Sequence, residues 1–185
     1  LQCVYHAPAA TDPDFFPMIV LDSILSGASS FNMFGSGISN KTSRLYRALI
    51  LKGLAAGFSG SLSATVDPFL YSITCAVRTD RSIEQVETAL NEEIEHAISH
   101  APTEEELSKA KKQARAMFAY SSESVTNLGF WYGFAEILDD YTWFTKYIDK
   151  LEAVTSSDVH RVAQNILKPS NRTTGYYIPN DSKIN

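Results

Sequence analysis

The stretch that decides the fold runs from Gly35 to Ala56, GSGISNKTSRLYRALILKGLAA. Ser43 is a good helix N-cap, because its hydroxyl can accept from a backbone N–H that the first turn leaves without a partner. Arg44 to Lys52 then reads as a short helix. Leu45, Leu49 and Lys52 fall toward one side of it, with Arg44 and Arg47 nearer the other. Gly53 is placed to end that helix in the left-handed conformation. Leu54-Ala55-Ala56-Gly57-Phe58 continues as a strand of small residues. The unit is loop, short helix, glycine stop, strand.

From Gly35 to Thr42 the same stretch nearly spells a phosphate-binding loop, but Asn40 stands where the second glycine belongs. That glycine lets backbone N–H groups close around phosphate oxygens. The motif also needs a buried strand before it, and Phe31-Asn32-Met33-Phe34 is short and interrupted. A polar loop running into a capped helix is the better reading.

Upstream, Leu1 to His6 reads as a strand, and Asp12 or Asp14 caps an apolar helix to about Ser26 that Gly27 stops. Downstream, strands are expected over Leu54 to Val66 and Phe69 to Arg78, turned at Asp67-Pro68. Phe69, Tyr71, Ile73, Cys75 and Val77 alternate with Leu70, Ser72, Thr74 and Ala76, the period of a sheet with one face on the core. A block of helices follows. Ser82 caps the first to about Ser99, Thr103 with Glu106 opens the second, and Ser124 starts a third that runs to Leu138. Trp143 to Leu151 forms a fourth, Thr155 with Asp158 starts a fifth to Leu167, and Thr173 to Ile178 is a closing strand. The expectation is one α+β domain over residues 1–179, a sheet layered with helices, and a frayed tail over 180–185.

Composition narrows the partners. The 185 residues are 44% hydrophobic and 20% charged, with a formal net charge of −5. Without a basic patch, neither nucleic acid nor an anionic membrane is expected as a partner. No apolar run approaches the roughly 20 residues that span a bilayer. The chain opens inside a strand with no signal peptide, so a fragment of a longer protein is expected. Cys3 and Cys75 lie in strand-like runs and read as buried thiols.

Catalytic groups are sparse. His96 and His100 have the spacing of two metal ligands on one helical face. Ser99 precedes His100 where a general base would be needed, and both rings rotate away from the apolar stripe toward solvent. No Gly-x-Ser-x-Gly elbow occurs. Neither a catalytic residue nor a metal ligand is therefore assigned. Aromatic rings crowd between Phe130 and Tyr147; either several helices share them as a core, or an exposed patch with Trp131, Phe134 and Trp143 marks a docking surface.

Ser43-Arg44-Leu45-Tyr46-Arg47-Ala48-Leu49 with Lys52-Gly53-Leu54-Ala55 resembles a segment of the pitrilysin/insulinase zinc metallopeptidases, in their second, non-zinc domain. Four further stretches resemble that domain in register. They are Pro8 to Asp14 with Leu21 to Gly27, Thr103 to Leu107 with Ala110-Lys111, Val154-Thr155 with Asp158-Val159 and Val162-Ala163, and Arg172 to Tyr176 ending at Pro179. The resemblance implies an α+β domain of the LuxS/mitochondrial-processing-peptidase-like metallohydrolase type. It implies a non-catalytic C-terminal domain of a zinc-dependent metalloendopeptidase, helping to enclose peptide substrate and making interdomain or intersubunit contacts. Zinc is then expected in the N-terminal domain of the parent protein, which becomes the main partner. Some family subunits place an Arg and a Tyr at positions that fall near Ile50 and Ala56 here, so a homologous subunit is expected to supply that pair. Ser43, Arg44 and Arg47 become the substrate-chamber candidates. The alternative is a structural or assembly module derived from such a peptidase, without proteolytic activity.

Overall fold

The alternating run at Phe69–Val77 builds the interior of a sheet with four strands among the described residues. In chain order the strands are β1 (Gln2–Ala7), β2 (Ala55–Leu62), β3 (Phe69–Val77) and β4 (Arg172–Gly175). Their spatial order is β2-β3-β1-β4, and every neighbouring pair is antiparallel. The computed structural model describes residues 1–27 and 41–178. The near phosphate loop from Gly35, the Phe31 to Phe34 run, Pro179 and the tail therefore lie outside the described residues.

One face of the sheet carries Cys3, Tyr5, Tyr71, Ile73 and Cys75, all buried. Register puts Tyr5 opposite Tyr71 and Cys3 opposite Ile73. Both thiols are free, and burial pushes each one's pKa up. Against this face lies α1 (Phe15–Leu25), in which all eleven residues are buried. It has no solvent side because it is packed between β2 and the helices α3 (Glu104–Ser121), α6 (Tyr147–Ala153) and α7 (Ser156–Ile166). At about 1.5–3 kcal/mol for each large apolar side chain, this helix supplies much of the hydrophobic stabilisation.

Capping chemistry sets the helix starts. Ser82 with Gln85 opens α2 (Ile83–Ser99), Thr103 with Glu106 opens α3, and Thr155 with Asp158 opens α7, each as a reciprocal box. Ser124 caps α4 (Val125–Leu138). The expected helix from Trp143 to Leu151 is two pieces, α5 (Thr142–Thr145) and α6, broken at Lys146. The break lets Trp143, Phe144 and Tyr147 all turn inward. The closing strand ends at Gly175, and Tyr176 beyond it donates its hydroxyl hydrogen to Glu87 of α2 at 2.9 Å.

The deciding stretch is wound more widely than an α-helix. Tyr46–Ile50 is a π turn, closed by the Leu51 N–H donating to the Tyr46 carbonyl at 3.1 Å. Gly53 follows with φ of +64°, the left-handed stop. Arg44, Leu45, Ala48 and Leu49 are buried, while Arg47, Leu51 and Lys52 are exposed. Arg44 thus lies on the inner side and Lys52 on the outer, the reverse of the sequence expectation. Arg44 and Ala48 are four residues apart and share a face, and a carboxylate inside receives the arginine head.

Candidate functional site

Around that π turn the three chamber candidates come together. Ser43 is buried, and its hydroxyl oxygen accepts from the Tyr46 N–H at 3.3 Å. Its role is to start the helix. Arg44 is 7% exposed, and its guanidinium meets Glu106 of α3 through Nε to Oε1 and Nη2 to Oε2, both at 2.8 Å. Glu106 Oε2 also accepts from the Thr103 N–H at 3.1 Å, so one carboxylate closes the α3 capping box and holds the arginine. The Arg44 bond is the largest influence on Glu106, holding its carboxyl down at about 2.

The third arm of Arg44, Nη1, lies 2.9 Å from His96 Nδ1. Arginine only donates, so Nδ1 accepts and the ring hydrogen sits on Nε2. His100 stacks on His96 with ring centroids 4.7 Å apart. Both rings are exposed, as their helical phase predicts. The pair does not fit a zinc site, because a guanidinium already occupies the Nδ1 lone pair of His96 and, among the described residues, no third ligand joins them. Among the described residues, no group of three or more His, Cys, Asp or Glu is gathered closely enough to hold a metal ion.

Arg44 is therefore fully engaged within the fold. Arg47, one turn on, is exposed and faces a cavity of about 470 Å³ between the π turn, α1 and α3. Arg44 and Ser43 form part of the cavity's wall, together with Lys41, Leu51, Glu105 and Lys109. Ile50 is half-buried at the end of the π turn and Ala56 is exposed on β2, so neither position brings a reactive group.

The docking candidates need correction. Trp131 is 5% exposed and Trp143 1%, while Phe134 is half-buried. Trp143 Nε1 donates to the Ala10 carbonyl at 2.9 Å, and Trp131 Nε1 to that of Ser121 at 3.0 Å. Rings from α4, α5 and α6 pack on one another and on Phe16 and Phe118, forming an aromatic core. Tyr132 and Tyr141 are the exposed rings of this block, and Ile137 of α4 is exposed as well.

A second polar group was not foreseen. Asp22 of α1 is 0% exposed and accepts from the Tyr71 hydroxyl at 2.9 Å, while its other oxygen has no partner. Burial raises its pKa to about 7. Gly60 of β2 makes room for it, since a Cβ there would come within 2.3 Å of Asp22 Oδ1. Residues 49 apart cannot announce such a contact in sequence.

Comparison with known proteins agrees with this architecture. Residues 1–114 match the family model described as the peptidase M16 inactive domain. A candidate zinc protease from Bordetella pertussis Tohama I is 27% identical with a TM-score of 0.81, over 97% of this chain and 92% of that one. The inactive peptidase domain of a candidate zinc protease from Bordetella parapertussis is 26% identical with a TM-score of 0.83, over 99% and 93%. A protease from Helicobacter pylori shares the fold at 20% identity and a TM-score of 0.79, over 92% of this chain and 38% of its own. No curated protein matches the chain. None of the helices among the described residues is long and apolar enough to cross a membrane.

Proposed function

We propose a function from the premise that the chain belongs to the peptidase M16 inactive-domain family. It acts as a non-catalytic wall of a zinc peptidase, enclosing peptide while an N-terminal domain of the parent protein holds the zinc. The observation that carries this reading is the second face of the sheet. Among the described residues, the helices in contact with strands are α1, α2, α7 and the π turn, and the buried face of the sheet is that of Tyr71 and Ile73. The opposite face presents Gln2, Val4, His6, Ser59, Ser61, Leu70, Ser72, Thr74, Ala76 and Thr173, all exposed or half-buried. It carries no Asp, Glu, Lys or Arg, although charged residues make up 20% of the chain. A solvated sheet face ordinarily alternates to polar and charged side chains. A wall of small and hydroxyl groups instead suits a surface along which an extended peptide lies.

Tyr132, Ile137 and Tyr141 are exposed apolar side chains available for contact with the zinc domain or a homologous subunit. With Ile50 and Ala56 at the relevant positions, an Arg/Tyr pair has to come from that subunit.

The test uses the whole parent protein. Thr74→Arg adds a cation to the open face without touching the core. It is expected to raise KM for peptide several-fold with zinc content unchanged. Unchanged kcat/KM would overturn the wall reading. A parent protein that holds no zinc and cleaves nothing would make the chain an assembly module instead.

A further inference from the structure

We propose that the cavity beside Arg47 binds an acidic side chain of an extended peptide, with an apolar neighbour seated against Leu51. The inference rests on the reading of the chain as a peptide-enclosing domain and adds a contact on the helical side of the sheet, apart from its open face.

Charge is the first argument. Arg44 and Glu106 cancel one another in their fork-to-fork pair. That leaves Lys41, Arg47 and Lys109 against the single carboxylate of Glu105 around the same cavity. All four are exposed. Among the described residues, none of the three cations takes part in a salt bridge. The local excess is positive in a chain whose net charge is −5. A concave site of one sign concentrates the opposite ion, and a global charge of the other sign keeps large polyanions away. The combination favours a short segment carrying one or two carboxylates over a nucleic acid.

Shape is the second argument. At about 470 Å³ the cavity falls in the range of small-ligand pockets. Its wall is not only polar. Leu51 is 66% exposed at its rim, and Ile24 and Ala110 contribute apolar surface. An exposed leucine on a charged rim has little reason to face water when Lys52 next to it does so freely. Arg47 offers a planar fork that matches a carboxylate, while Lys41 and Lys109 act as point charges around it. The locked Arg44–Glu106 pair behind them fixes the wall, so Glu106 cannot swing out to neutralise Arg47.

The experiment measures fluorescence anisotropy of the full 185-residue chain. Two labelled peptides are compared, one with a central Glu-Leu-Glu and one with Gln-Leu-Gln. The acidic peptide is expected to bind at least tenfold more tightly at low salt, with the preference lost in 0.5 M NaCl. Arg47→Gln with Lys109→Gln should abolish the preference and leave the melting temperature unchanged, since both side chains are exposed. Equal affinities, or a preference that survives the double substitution, would overturn the proposal. Displacement of the acidic peptide by millimolar inorganic phosphate but not by free glutamate would also overturn it, assigning the cavity to phosphate. If the preference fails while Thr74→Arg still raises KM in the parent, the wall reading stands and only the ligand class falls.

Discussion

Arg44 and Glu106 join the π turn to the first turn of α3 through two hydrogen bonds of 2.8 Å, across 62 residues of chain. The arginine is buried and the carboxylate half-buried, so each relies on the other for its charge. Removing one partner of a buried pair costs about 3–5 kcal/mol, because the other charge stays behind unpaired. Arg44→Ala is therefore expected to lower unfolding stability by about that amount, toward the smaller end because Glu106 reaches water. Arg44→Lys should recover only part, since lysine cannot form the fork. Urea unfolding of the three chains checks this.

The same pair predicts an acid limb. The Glu106 carboxyl sits at about 2 in the folded chain against an ordinary 4.5. A lowered carboxyl binds fewer protons folded than unfolded. Its stabilisation is present above pH 4.5 and lost as pH falls toward 2. Glu106→Gln should flatten that limb in a thermal-melt series, and an unchanged slope would count against the pairing.

Asp22 predicts the opposite slope. Burial lifts its carboxyl from 3.8 to about 7, with Tyr71 the main group opposing the rise. The folded state holds the proton more tightly than the unfolded, so this group's stabilisation is full below pH 3.8 and is lost as pH rises through 7. Asp22→Asn is expected to melt higher than the parent chain at pH 8 and to lose most of the pH dependence between 4 and 8.

Gly60 tests the packing around that carboxyl. A Cβ would stand 2.2 Å from Ser26 Oγ and 2.3 Å from Asp22 Oδ1. Gly60→Ala should destabilise by about 1–3 kcal/mol, the usual cost of overpacking. A neutral result in denaturant unfolding would mean that α1 and β2 separate more easily than their contact implies.

The aromatic block divides into core and surface. Trp143→Ala removes a ring that is 1% exposed and should cost about 3–5 kcal/mol. Tyr141→Ala, at a ring 55% exposed, should stay within about 0.5 kcal/mol in the chain alone. The docking role requires that the tyrosine substitution weaken association with the zinc domain, read by sedimentation or pull-down of the two purified parts.

The sequence by itself determined the elements whose causes are local. Ser82, Thr103 and Thr155 close their boxes within three residues, Gly53 needs only its own backbone to stop the π turn, and β3 shows its buried face through a period of two. The peptidase resemblance was legible for the same reason, since its motifs are short runs in order. Tertiary structure decided what depends on meetings between distant residues. Arg44 looked like a free cation because Glu106 and His96 lie 62 and 52 positions away. Asp22 looked like any polar residue on a helix until packing on every side sealed it against Tyr71. Trp131 and Trp143 looked like surface because a single helix cannot hide consecutive rings, but α4, α5 and α6 packed on one another bury these two and leave Tyr132 exposed. Local capping and periodicity are fixed by hydrogen bonds and geometry within a few residues. Which charges are spent and which remain free is settled only when the layers close.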